Sequence, residues 1–285
     1  MLLQPYFQFF DIWSAVESGL YYIIVGYYVL IFFYFLFMRF RTSKKLYWLY
    51  FSLLFICLAA GRFFFIIYYY YAPELFDTIS NIELVGILML YYRLATFSTW
   101  LGIACLMGVL GVLIFPPITG IDDQIQVKSF RGKLKLGFRR RNIRILLKFL
   151  LMLIPVIVGV LALVLPDALF MDPDFVTDYG VDPGLILIPI LNYPAGRAVL
   201  NFILLPIFVA VIPFIYFYLA MKTFGVLRRS YALNGIGFLI YFIGRIAQGV
   251  LDSANFEHVR AILPPLLILL SLLLIVIANN YEQLR

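Results

Sequence analysis

Three arginines lie inside stretches of chain that are otherwise apolar: Arg62, Arg93 and Arg245. A cation in such a segment is costly; it turns toward the interior of a helix bundle and takes a partner. The guanidinium is a planar fork of donors matched to carboxylate or phosphate, so the chemistry on offer is recognition of an anion. Along ideal helices counted from the basic turns, Arg62 and Arg245 rise about 22 to 24 Å and Arg93 about 33 Å. The first two are expected to share a depth, with Arg93 nearer the far boundary. On one helix Tyr241, Arg245, Gln248 and Asp252 recur at helical spacing, a polar stripe on one face. Arg93, Thr96 and Trp100 do the same on another, and Arg62 falls in line with Phe55, Phe65 and Tyr69. Arg62, Arg93, Arg245, Tyr241, Gln248 and Trp100 are the candidate ligand-binding set, lining one outer cavity.

A second reading fits the same residues. The arginines can instead pair with Glu17, Glu83, Asp252 or Glu257, or reach out to lipid phosphates, and so tie helices together. The sequence leaves both readings open.

The elements that position these residues follow from composition. Hydrophobic residues make up 64% and charged residues 13% of 285 residues, with a mean hydropathy of +1.00. A soluble domain carries about twice that charge. Apolar runs exceed the roughly 20 residues a helix needs to cross hydrocarbon, and short alternating strands of a barrel are absent. The expected fold is an all-α polytopic membrane protein, a single domain of seven spans at about 14–38, 46–71, 83–115, 144–165, 197–221, 231–251 and 261–279.

Orientation comes from charge. Of 22 Lys and Arg, all except Arg62, Arg93, Arg197, Arg245 and Arg260 fall in the turn after the first span, the 116–148 interval, the turn after the fifth span and the C-terminus. Of 15 Asp and Glu, all except Asp122, Asp123 and Glu282 fall at the opposite helix ends. Basic residues stay on the cytoplasmic side. This places the N-terminus outside, the C-terminus and a basic loop 116–143 inside, and an acidic loop 166–192 outside. Residues 1–12 have no Lys or Arg before their apolar part and do not resemble a cleaved leader, so they are expected to be retained.

The basic interval holds Lys133, Lys135, Arg139, Arg140, Arg141 and Arg144, alternating with apolar residues. It suits contact with anionic lipid or an acidic cytoplasmic partner. The net charge of +7 reads as topology rather than nucleic-acid binding. The third span stays apolar for 34 residues, about 50 Å of helix, so it is expected to tilt or project. Gly235, Gly237, Gly244 and Gly249 should let the sixth helix approach its neighbours closely.

Several chemistries lose support. The spans contain no Asp pair, no His and no metal-ligand cluster, so neither an enzyme nor a metal or cofactor is expected. Cys57 and Cys105 lie deep in apolar runs, away from any site for an outer disulfide. His258, beside Glu257 in an outer loop, reads as a surface residue.

Seven spans with the N-terminus outside and the C-terminus inside are similar in topology to G-protein-coupled receptors and microbial rhodopsins. Retinal attachment implies a Lys in the last helix, and 261–279 has none. The receptor resemblance implies an Asp-Arg-Tyr-like triplet after the third helix; here Leu113, Ile114, Phe115, Pro116 and Pro117 stand there, and the outer Cys pair is missing. The likeness is one of topology, which names no function.

The leading expectation is a receptor-like or ligand-binding protein of the plasma membrane, with an outer pocket for an anionic lipid or small anion. The alternatives are a scaffold subunit of a membrane complex and a secondary transporter.

Overall fold

Backbone in hydrocarbon has no water to bond, so long apolar runs must satisfy themselves as helices. Among the described residues of the computed structural model, seven helices are long and apolar enough to cross a membrane. Residues 11–114, 132–188, 193–253 and 256–280 are described, with the side chains of all except 132–144, 202, 249–250, 252–253 and 257. The helices are α1 (Ile12–Ser43), α2 (Leu46–Tyr71), α3 (Asn81–Ile114), α4 (Gly132–Val164), α5 (Ala195–Lys222), α6 (Gly225–Ser253) and α7 (Glu257–Asn280). The protein is an all-α integral membrane protein.

Asp11 caps α1 by accepting from the backbone N–H of Ser14 at 2.6 Å. That bond holds the Asp11 carboxyl below the usual carboxylate range. At its other end α1 widens into π-type turns over Tyr34–Phe40 and stops at Lys44, whose φ of 55° turns the chain into α2. A second widened stretch, Val199–Leu204, ends two residues before Pro206 in α5. In a regular helix that ring would clash with the carbonyl four residues back, and wider turns relieve the clash.

Helix boundaries differ from expectation in three places. α4 begins at Gly132 rather than near 144, because Lys, Leu and Arg are good helix formers and no Pro intervenes. Half of the expected basic loop is therefore helix. α6 begins at Gly225, whose φ of +63° makes the turn from α5. α7 starts at Glu257 rather than near 261, so Pro264 and Pro265 lie about two turns inside it.

The helices pack in a ring: α4 on α3, α3 on α2, α2 on α1, α1 on α7, α7 on α6, and α6 on α5, with α5 touching α3. The span of α3 is 61% buried against 17% for α4, so α3 is the central post and α4 faces outward. Between helices in lipid the hydrophobic effect gives little drive, and close packing and polar contacts do the work. Gly61 of α2 is an example: a Cβ there would stand 3.1 Å from the Ala95 carbonyl and 2.9 Å from the Thr99 hydroxyl of α3. Of the α6 glycines expected to allow close approach, Gly237 approaches Ile275 of α7 and Gly235 approaches Phe217 of α5, each at 2.8 Å from a built Cβ. Further along the α2–α3 seam, Gly102 lets the Cys57 Cβ come within 3.5 Å of a built Cβ.

The two ends of the bundle differ chemically. At one end Arg39 donates to the Asn279 carbonyl (3.0 Å) and to Asn280 Oδ1 (2.7 Å), and Tyr34 also donates to Asn280 Oδ1. Tyr47 donates to Asn279 Oδ1 at 3.1 Å, and Asn279 Nδ2 donates to Asn234 Oδ1 at 2.9 Å. This network joins α1, α2, α6 and α7 among the basic helix feet. The other end carries the acidic segment between α4 and α5. There a one-turn 3-10 helix (Asp167–Leu169), a short helix (Asp174–Tyr179) and a two-residue hairpin of β1 (Leu187–Ile188) with β2 (Tyr193–Pro194) fold back over the bundle. Phe170 and Met171 from this segment are buried in the core.

Candidate functional site

Five arginines lie in or at the acidic-side half of the bundle, and their partners divide them into two groups. Arg93 sits on α3 with its Nη2 2.6 Å from Asp167 Oδ1, its Nε 3.1 Å from the same oxygen, and its Nη1 donating to the Leu163 carbonyl at 2.5 Å. It ties α3 to the end of α4. Arg197, in the first turn of α5, is buried. It donates to Asp172 Oδ2 (2.9 Å), to the Tyr68 hydroxyl (3.0 Å) and to the Phe170 carbonyl, and it lies over the Tyr92 ring at 4.1 Å. This clamp fastens the acidic segment to α2, α3 and α5. Gly196 makes room for it, since a Cβ there would meet the Leu169 carbonyl at 2.7 Å. Arg260, at the start of α7, pairs with the buried Glu17 of α1 at 3.8 Å.

Arg62 and Arg245 are different. Among the described residues neither forms an ion pair. Arg62, buried on α2, lies over the Tyr21 ring at 4.0 Å. Arg62 and Arg245 both lie within electrostatic reach of the Tyr21 and Tyr28 hydroxyls. Tyr28 donates to Tyr241 at 3.5 Å, which brings α1 and α6 together at the same level. Glu17 is paired to Arg260 at 3.8 Å, so no described carboxylate within ion-pair distance balances Arg62 or Arg245.

Below this cluster a small cavity of about 20 Å³ opens between α2, α3, α5 and α6. Arg245 and Asn201 line it with Thr96, Thr99 and Trp100, and Phe65 and Leu205 close it. Space of this size holds about one water. Both threonine hydroxyls donate back along α3, to the carbonyls of Tyr92 (2.8 Å) and Ala95 (2.9 Å).

The residues singled out by spacing are thereby sorted. Arg62, Arg245 and Tyr241 come together through the tyrosines, and Trp100 meets Arg245 at the cavity. Arg93 is drawn away to Asp167, and Gln248 is half-buried on α6 without lining the cavity. Of the expected ion-pair partners, Glu17 pairs with Arg260 and not with Arg62, Arg93 or Arg245. Glu83 is exposed and has no ion pair among the described residues. The side chains of Asp252, Glu257, Lys133, Lys135, Arg139, Arg140, Arg141 and Arg144 lie outside those described. His258 packs its ring on Trp13 at a centroid distance of 4.4 Å.

Spacing did not single out Tyr21, Tyr28, Asn201, Thr99 or the Arg197–Asp172 clamp. A signal existed for the first two: Glu17, Tyr21, Ile24, Tyr28 and Ile31 follow the helical period that marks the buried face of α1. For Arg197 and Asp172, separated by a folded loop, local periodicity carries nothing. Comparison with known protein families, characterised proteins and solved structures finds no match to this chain.

Proposed function

We propose that this seven-helix membrane protein is a ligand-binding, receptor-like protein that holds an anionic group beside Arg62 and Arg245. One observation carries the reading: Arg93, Arg197 and Arg260 each have a carboxylate partner, whereas Arg62 and Arg245 have none among the described residues. A helix tie needs a partner on the next helix. An arginine that rests on a tyrosine face, as Arg62 does on Tyr21, keeps donors for something that arrives. The anionic group is that of a lipid or of a small anion, since either supplies the same chemistry.

The acidic end faces outward and the basic helix feet face the cytoplasm of a plasma-membrane protein, by the retention of Lys and Arg inside. Binding at the arginines is then read from the outer half of the bilayer. The basic N-terminal turns of α4, with the 116–131 interval before them, contact anionic lipid or an acidic protein on the inner side.

Native mass spectrometry of the protein in mild detergent tests the reading, run beside Arg62→Ala and Arg245→Ala. The expected result is an anionic molecule that accompanies the wild type and is lost from both folded variants. If nothing anionic is bound and the variants unfold, the two arginines are packing elements. A scaffold role then explains the bundle better.

A further inference from the structure

At the basic end of the bundle, opposite the half that holds Arg62 and Arg245, the elbow between α5 and α6 combines exposed apolar and exposed basic side chains. We infer that this elbow is a binding site for the headgroup of an acidic phospholipid, a site independent of the anion-binding reading above. The path of the apolar surface is the first support. Ile207, Val211, Phe214, Tyr218 and Met221 are exposed at helical spacing along α5, the kind of stripe that lipid covers. The stripe does not stop with the helix: Met221 is 73% exposed, Phe224 in the turn is 85% exposed, and Leu227 continues it in the first turn of α6. Continuity with the lipid-covered face therefore selects lipid as the occupant.

Depth is the second support. The 28 residues of α5 make about 42 Å of helix, against hydrocarbon about 30 Å thick. With Arg197 clamped at its acidic-side start, its last turn reaches the headgroup layer. Apolar side chains at that level sit at the boundary between acyl chains and phosphates. The turn is held in shape there: the Thr223 hydroxyl donates to the Leu219 carbonyl at 2.8 Å, and Gly225 takes the left-handed conformation.

Charge is the third. Lys222, Arg228 and Arg229 are exposed on either side of Phe224, and the chain has no Asp or Glu from 183 to 251. The Lys222 ammonium lies back over the Tyr218 ring at 5.7 Å, so it borders the apolar stripe instead of stretching into water. Cations along the rim of an apolar surface match an anionic head on an apolar body. An acidic protein surface answers the charge but not the continuity with the lipid-covered stripe.

The test uses the full chain as Phe224→Trp in phosphatidylcholine nanodiscs, with the parent chain giving the background of its three tryptophans. A minor fraction of the lipid is either phosphatidylglycerol or phosphatidylcholine brominated in its acyl chains. The expected result is that brominated phosphatidylglycerol quenches the added indole several-fold more than brominated phosphatidylcholine at equal mole fraction. Lys222→Gln and Arg228→Gln should each weaken that preference about fivefold. Should the indole disturb folding, native mass spectrometry of the unmodified chain reads the same site: it should retain a phosphatidylglycerol that the Lys222→Gln, Arg228→Gln double variant loses. Equal quenching by the two lipids overturns the assignment, as does a preference or a retained lipid that survives both substitutions. Quenching by aqueous iodide with none from either brominated lipid also overturns it, and leaves the elbow as a surface for an acidic protein.

Discussion

Replacing Asp172 with alanine removes the carboxylate from the Arg197 clamp and leaves a buried guanidinium facing Phe170, Tyr68 and Tyr92. Breaking a fully buried pair from one side costs about 3 to 5 kcal/mol, because a charge is stranded. Two features lower that figure here. The Asp172 side chain is 32% exposed, so water already screens it, and the guanidinium keeps the Phe170 carbonyl, the Tyr68 hydroxyl and the Tyr92 ring. The expected loss for Asp172→Ala is about 2 kcal/mol. Asp167→Ala at the Arg93 pair is the internal control. That carboxylate is 48% exposed and its arginine keeps the Leu163 carbonyl, so the loss should be about 1 kcal/mol or less. Unfolding in mixed micelles of rising SDS mole fraction measures both. Proteolysis of the 166–188 segment should accelerate in Asp172→Ala before the helices unfold, and Asp172→Asn, which can still accept from Arg197, should recover part of the loss. If Asp167→Ala costs as much as Asp172→Ala, or the segment stays protected, the clamp is not what holds it down.

Three further outcomes follow from the same geometry. Gly196→Ala places a methyl 2.7 Å from the Leu169 carbonyl and should destabilise by about 2 kcal/mol with early loosening of the same segment, read in the same micelle assay. Removing a paired arginine should hurt more than removing an unpaired one: Arg260→Met strands the buried Glu17 and should cost about 3 kcal/mol, whereas Arg245→Met strands no described carboxylate and should cost under about 1 kcal/mol; equal losses would collapse the division drawn between them. Acid should act in opposite directions at two carboxyls, Asp11 and Asp174. The Asp11 pKa is lowered by its cap bond, so its contribution is present at neutral pH and is lost as pH falls through the folded value. Asp174 is raised by burial and by the neighbouring Asp172 and Asp178, so it opposes folding at neutral pH and that penalty lifts as pH falls through its folded value. Asp11→Asn should therefore flatten the acid-side loss of protection in the first turn of α1, seen by hydrogen exchange, and Asp174→Asn should raise stability at neutral pH but not in acid.

Most of the fold is a consequence of the solvent. Twenty apolar residues in hydrocarbon must be helical, so the number of spans and their approximate limits are set by composition alone, and the segregation of Lys and Arg from Asp and Glu separates the two ends of the bundle before any contact is known. On α6, Tyr241 accepts from Tyr28 and Arg245 lines the small cavity, whereas Gln248 of the same stripe does not. Helix ends were less legible, since Gly132–Arg144 is polar enough to read as loop although its residues favour helix.

What spacing could not decide is which arginine pairs. Arg93 and Trp100 share a helical face, yet Asp167 captures the first and the cavity takes the second, because a carboxylate arriving from the end of α4 is invisible to the period of α3. By sequence Arg197 is only a cation at the start of the fifth span. Its role depends on where the 166–188 segment folds, which is fixed by the hairpin of β1 with β2 and the burial of Phe170 and Met171. The sequence by itself determines how many helices cross, and separates their basic from their acidic ends, because those follow from each segment's own exchange with the membrane. The tertiary structure alone decides that Arg93, Arg197 and Arg260 are ties while Arg62 stands over Tyr21 and Arg245 lines the small cavity, because pairing depends on distances between segments far apart in the chain.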